Sequence, residues 1–160
     1  MSIKAGERMP SGTLKTMGAD GAKDIKTDEL FRGKKVVLFS VPGAFTPTCD
    51  AKHLPGFVAL ADQLKAKGVD TIACMAVNDV FVMNAWGKAS GVAGKVVMLA
   101  DGNGDYARAL GLELDGRDFG LGMRGQRFAI VVKDGVAERV NVEAPREFKV
   151  SSAEHLLSQL

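Results

Sequence analysis

The sequence predicts an α/β sandwich, with a central mixed β-sheet flanked by helices. Three observations carry that reading. Short apolar runs alternate with longer segments whose apolar residues recur at one-face helical spacing. The last third changes style, and two strand-like runs there are joined by Asp134-Gly135. A chain of 160 residues, 46% hydrophobic and 25% charged, is long enough to bury a core without disulfide staples. One domain spanning 1–160 is expected, because there is no repeat, low-complexity tract or linker.

The run 36–41, Val-Val-Leu-Phe-Ser-Val, follows Gly33-Lys34-Lys35 and reads as a buried strand. Phe57, Leu60, Ala61 and Leu64 then share one helical face, and Lys67-Gly68 ends that helix. Residues 69–77 are strand-like, 80–89 helical, 96–99 another buried strand, and 106–110 a short helix before Gly111. Residues 128–132 and 136–142 form the predicted hairpin. Ser151 with Glu154 is a capping-box signal for a closing helix. The order β-α-β-α-β-α-β-β-α, parallel crossovers followed by an antiparallel hairpin, predicts a thioredoxin-like sandwich.

Several functions are excluded by composition. A net charge of +2, with no dense basic run, argues against nucleic acid and anionic membranes. No apolar stretch is long enough to span a bilayer, and the first residues carry neither a secretory nor a transit pattern, so the chain reads as cytoplasmic. Two cysteines, with no CxxC and no zinc spacing, suit a reducing compartment and no metal. Two glycine patterns mimic nucleotide loops. Gly120-Leu-Gly-Met-Arg-Gly125 precedes a strand, where the dinucleotide fingerprint would follow one, and Gly102-Asn-Gly-Asp105 leads into too short a helix.

The informative segment is Pro42-Gly-Ala-Phe-Thr46-Pro-Thr-Cys49, between the first buried strand and the first long helix. Thr46 is a good N-cap and Pro47 fits the first helical position. Cys49 then lands at the third, where free N–H groups and the helix dipole favour a negative group. A thiol there is biased toward its nucleophilic anion. The N-cap hydroxyl is close enough to donate toward the sulfur. Pro55-Gly56 should break or kink the helix and isolate its first turn. The competing view is that Cys49 is a small apolar filler.

At this point the residues carry a resemblance. Pro42, Thr46 and Cys49 match the peroxiredoxin active-site motif. The longer string 41–49, with Lys52-His-Leu-Pro-Gly-Phe57, resembles the type II, or peroxiredoxin-5-like, subfamily. The similarity continues through Val77-Asn-Asp79, Phe81-Val82, Ala85-Trp86, Leu99-Ala-Asp101 and Arg127-Phe128. It implies a thiol peroxidase that reduces hydrogen peroxide and small organic hydroperoxides through a sulfenic acid on Cys49. By the same resemblance Arg127 lies beside the sulfur, where its fork favours the anion and stabilises charge on the peroxide oxygens, and Pro42 shields the thiolate. Arg124 is the competing arginine and reads as a solvated loop residue. His53, at i+4 from Cys49, allows a Cys–His pair in principle, but the family assigns no His as base, and it reads as structural or pocket-lining. His155 reads as a surface residue.

Cys74 lies in an apolar strand pattern, where an inert cysteine is usual. Relatives with an internal disulfide carry a resolving cysteine near the C-terminus, and this chain has Phe148-Lys-Val-Ser151 there. The resemblance therefore implies recycling of Cys49 by glutathione and glutaredoxin, with thioredoxin as the alternative reductant. It also implies a homodimer and no metal or organic cofactor. Two other classes remain open from the residues alone: a monothiol oxidoreductase acting on disulfides, and a non-enzymatic sensor whose Cys49 oxidation controls a partner.

Overall fold

The computed structural model describes residues 1–160. Its centre is a seven-stranded mixed sheet of order β2-β1-β5-β4-β3-β8-β9. The strands are β1 Thr13–Gly18, β2 Gly21–Lys26, β3 Lys35–Ser40, β4 Thr71–Ala76, β5 Val97–Ala100, β8 Phe128–Lys133 and β9 Val136–Val142. β6 Glu113–Asp115 and β7 Met123–Gly125 form a separate small ribbon. The helices are α1 Thr27–Phe31, α2 Leu54–Ala66, α3 Val80–Ala89, α4 Asp105–Leu110 and α5 Ala153–Gln159. β3, β4 and β5 are parallel, as expected for strands joined through α2 and α3, and β8 runs antiparallel to β3.

The inner strands are apolar throughout because both of their faces are covered. Val37 and Phe39 of β3, with Cys74 and Ala76 of β4, enter a cluster that also contains Leu54, Phe57, Met83 and Trp86. Val36, Leu38, Ala73 and Met75 point the other way, into a second cluster with Phe31, Tyr106 and Leu110. This is the period-two alternation of a strand buried on both sides.

The structure adds elements that the periodicity did not reveal. The β1–β2 hairpin has a mostly exposed outer strand, so it lacks a continuous apolar run. α1, β6 and β7 are only three to five residues long, below what a repeat can signal. The final helix is capped by Ser152, whose Oγ accepts from the N–H of His155 at 3.1 Å, and not by Ser151. Ser151 is fully buried, and its hydroxyl donates to Glu143 at 2.6 Å. His155 is half-buried. No helix is long and apolar enough to cross a membrane.

Pro55-Gly56 does not break the helix. Cys49–His53 form a π turn that runs directly into α2, and the N–H of Leu54 reaches back five residues to the carbonyl of Cys49. Pro55 falls in the first turn of the α-helical part, where its missing N–H is tolerated, and the wider turn relieves the clash its ring would cause in a continuous α-helix. The distortion the proline predicts is present as a local widening rather than a gap.

Candidate active site

β3 ends at Ser40, and the chain then turns through residues 41–46 before entering the helix at Pro47. Phe45 holds a left-handed φ of 63° in this turn. Asn78, after β4, accepts the N–H of Ala44 at 2.9 Å and ties the two loops together. The carbonyl of Thr46 accepts from the N–H of Asp50 at 2.8 Å, which makes Thr46 the N-cap and Cys49 the third helical residue. The Asp50 carboxylate in turn accepts from the indole N–H of buried Trp86 at 2.8 Å, fastening the π turn to α3.

Cys49 is fully buried, yet its sulfur has two polar partners. The Thr46 hydroxyl lies 2.8 Å from Sγ, and Nη2 of Arg127 donates to Sγ at 3.0 Å. The Thr46 hydroxyl is also 2.7 Å from the Gly43 carbonyl. It has one proton for two acceptors, so it can turn toward the sulfur when the sulfur carries negative charge and toward Gly43 when the sulfur has its own proton. Arg127 reaches the site because β8 pairs antiparallel with β3 in a register that sets Ser40 opposite Phe128. The residue just before β8 is thereby delivered to the end of β3, where the helix begins.

His53 takes a place that the spacing did not reveal. It does not line the cleft, and it does not touch the sulfur. Its Nδ1 is 2.8 Å from Nη1 of Arg127 and its Nε2 is 2.9 Å from the carbonyl of Ser151. Arginine can only donate and a carbonyl can only accept, so Nδ1 is the acceptor and Nε2 carries the proton. The ring is buried among Phe39, Phe57 and Phe148. Burial first, and then the Arg127 charge, lower its pKa to about 3, so it is neutral at ordinary pH. His53 therefore aims Arg127 and offers no charge of its own.

A second buried group supports this arrangement. The Glu143 carboxylate accepts the N–H groups of Lys149, Val150 and Ser151, each within 2.9 Å, and the Ser151 hydroxyl. Burial alone would raise its pKa, but these donors outweigh burial and hold it below the ordinary carboxylate range. The loop so gathered presents the Ser151 carbonyl to His53.

Arg124 is not the solvated residue its loop position suggests. Its Nε donates to the Leu121 carbonyl at 2.8 Å and its Nη1 to the Pro42 carbonyl at 3.2 Å. It braces the turn above Cys49 from the ribbon side, without reaching the sulfur. Pro42, Thr48, Arg127 and Phe148 line a cleft of about 550 Å³ beside the buried thiol. Cys74 sits in the middle of β4 opposite Phe39, fully buried. Burial, and then the nearby Cys49, push its thiol pKa well above the ordinary value. The structure thus gathers Cys49, Thr46 and Arg127 at one point, sets Pro42 at the cleft, and leaves Cys74 without a polar partner.

Three comparisons bear on this geometry. The Redoxin family model matches residues 4–157. Peroxiredoxin-2B of Arabidopsis thaliana is 49% identical over 159 residues, covering 99% of this chain and 98% of the relative. The hybrid peroxiredoxin hyPrx5 of Haemophilus influenzae is 42% identical over the whole of this chain and 67% of its own length. The crystal structure of reduced Prx3 from Vibrio vulnificus in complex with hydrogen peroxide is 53% identical, covers 98% of both chains and superposes with a TM-score of 0.94.

Proposed function

The chain belongs to the Redoxin family, among the type II peroxiredoxins, and is a thiol peroxidase; from that premise we propose that Cys49 is its peroxide-reducing nucleophile, assisted by Thr46 and Arg127 and shielded by Pro42. One observation carries the reading: a buried sulfur with a hydroxyl at 2.8 Å and a guanidinium at 3.0 Å. A buried site with those two donors suits an anion, because charge-assisted hydrogen bonds are strengthened where water is excluded.

In the reaction the Cys49 thiolate attacks one peroxide oxygen. The S–O bond forms as the O–O bond breaks, the sulfur is oxidised to a sulfenic acid, and the other oxygen leaves and is protonated to water or an alcohol. Arg127 faces the charge that spreads onto the departing oxygen, and the Thr46 proton stays between sulfur and substrate. Hydrogen peroxide and small organic hydroperoxides are the proposed substrates. The peroxide complex of the Vibrio vulnificus relative supports the first, and the cleft volume of about 550 Å³ supports the second.

The proposed reductant is glutathione, directly or through glutaredoxin. One thiol condenses with the sulfenic acid, releasing water and leaving a mixed disulfide on Cys49, and a second thiol releases the protein thiol and glutathione disulfide. The mid-strand position of Cys74, with its backbone paired to β3 and β5, and the absence of a cysteine at 148–151 support this over an internal disulfide. The cytoplasm, where free thiols persist, is the compartment proposed, with the chain acting as one domain in a homodimer. Exposed Phe45, next to the site, and Phe81, at the start of α3, support the dimer.

The test is a steady-state peroxidase assay with glutathione and glutaredoxin set against thioredoxin and its reductase. Consumption of peroxide with the first pair and far less with the second is the expected result. Absence of turnover with any thiol would remove the proposal.

A further inference from the structure

The cleft beside Cys49 is larger than hydrogen peroxide needs. A space of about 550 Å³ is the size that holds a small organic ligand. Leu114, Phe119, Pro145 and Phe148 supply an apolar lining for an organic body. Its charges are distributed unevenly. Arg127 is committed to the sulfur and to His53, and Glu143 is saturated by the donors around it. Glu147 is drawn to Lys149 at 3.5 Å. The one charge in the lining left without a partner is Arg146, which no carboxylate approaches within ion-pair reach.

Arg146 is also held in an unusual conformation. Its φ is +67°, a left-handed position that disfavours every residue with a Cβ and that glycine occupies freely. Its guanidinium lies over the ring of Phe119, 5.9 Å from the centroid, and that ring is 68% exposed. A strained backbone thus carries an unpaired cation to an apolar shelf at the mouth of the reaction cleft. Stacking on the ring leaves the edge of the guanidinium, with its N–H donors, free to accept a ligand.

We propose that Arg146 is a specificity residue that binds a carboxylate on the small molecule entering the cleft while Phe119 and its neighbours hold the apolar body. This rests on Cys49 being the reacting thiol. A carboxylate can arrive on two kinds of molecule, an organic hydroperoxide with an acid group or glutathione itself, and the two half-reactions separate them.

The experiment compares wild type with Arg146→Gly, a replacement that removes the cation and relieves the left-handed backbone, so the fold is retained; a thermal melt checks this. In the oxidation arm the probes are cumene hydroperoxide bearing a para-carboxylate and the methyl ester of that acid, with the rate of Cys49 oxidation measured for each. In the reduction arm they are glutathione and its diethyl ester, in which both carboxylates are blocked, acting on the oxidised protein. The acid-to-ester rate ratio should fall about fivefold in the variant in at least one arm, the range of an exposed ion pair. In wild type that ratio should shrink with added salt. A fall in the first arm assigns the site to the substrate, and in the second to the reductant. Ratios unchanged by the substitution in both arms overturn the proposal. A wild type inert toward every peroxide would instead overturn the assignment of Cys49.

Discussion

Cys49 and Cys74 are two fully buried cysteines in the same apolar cluster, yet they occupy opposite chemical environments. Cys74 is in mid-strand, its backbone committed to β3 and β5, with no polar atom offered to its sulfur. Cys49 is at the start of a helix, in a π turn, with a hydroxyl and a guanidinium aimed at it. Burial is equal, so burial does not set the two sulfurs apart. The difference lies in which donors the fold brings to the sulfur, and whether the local backbone is a ladder or a turn.

The sharpest way to break this comparison is to remove each sulfur in turn. Cys49→Ser should reduce peroxide consumption to the level of buffer and thiol alone, with circular dichroism unchanged. Cys74→Ser should keep most of its turnover with glutathione and glutaredoxin. Comparable losses in the two variants would show that the environments do not differ as described.

The donors come next. Arg127→Ala should lower the second-order rate with peroxide at least about a hundredfold, the order seen when a preorganised donor to developing charge is lost. Arg124→Ala should cost much less, because Arg124 braces the Pro42 carbonyl and does not reach the sulfur. Thr46→Val should fall between them, about tenfold, and should also lose about 1 kcal/mol of stability with its bond to Gly43. Stopped-flow oxidation rates rank the three, and Arg124 ranking above Arg127 would reverse their roles.

The strand position of Cys74 makes a structural prediction of smaller effect. Cys74→Ser places an extra hydroxyl in an apolar cluster and should destabilise by about 1–3 kcal/mol in denaturant unfolding. Mass spectrometry after one equivalent of peroxide, without added thiol, should show sulfenic or overoxidised Cys49. A stoichiometric disulfide between the two cysteines would require Cα atoms within about 7 Å and a loosened β4, and its appearance would establish an internal mechanism.

The smallest effect is on pH. His53 has an ordinary value of 6.5 and is lowered to about 3 in the fold. Between those values the unfolded chain binds the extra proton, so the contribution of His53 is complete above pH 6.5 and declines below it, by about 1.4 kcal/mol per unit at most. Glu143, held below its ordinary 4.5, adds a loss of the same sign as pH falls through the carboxylate range. Unfolding measured at pH 7, 5.5 and 4.5 should show this decline, and His53→Gln should flatten its upper part. The peroxide rate should show no ionisation attributable to His53 between pH 5 and 8.

Much of the site's first turn is legible without a structure. Thr46, Pro47 and Cys49 are close in sequence, so helix-capping rules alone place the thiol at a helix start with a hydroxyl near it. The strands and helices at 36–41, 80–89 and 128–142 were equally readable, since apolar period and an Asp-Gly turn depend on immediate neighbours. The family resemblance added Arg127, which no local rule could connect to Cys49 across 78 residues. Ser151 departs from its local pattern for the same reason: its spacing to Glu154 fits a cap, but a buried carboxylate eight residues upstream claims its hydroxyl.

What the sequence by itself determined is therefore what short-range geometry controls: an α/β alternation, a capped turn carrying Cys49, and a second cysteine inside an apolar strand. Only the tertiary structure decided that His53 holds Arg127 and that Ser151 holds His53, contacts across 74 and 98 residues. It also decided that Arg124 braces the loop and that the proline widens the helix without breaking it. These depend on the antiparallel register of β8 against β3 and on the loop gathered by Glu143. A hydrogen bond needs its partners within about 3 Å, and for residues so far apart in the chain only the packed sheet brings them that close.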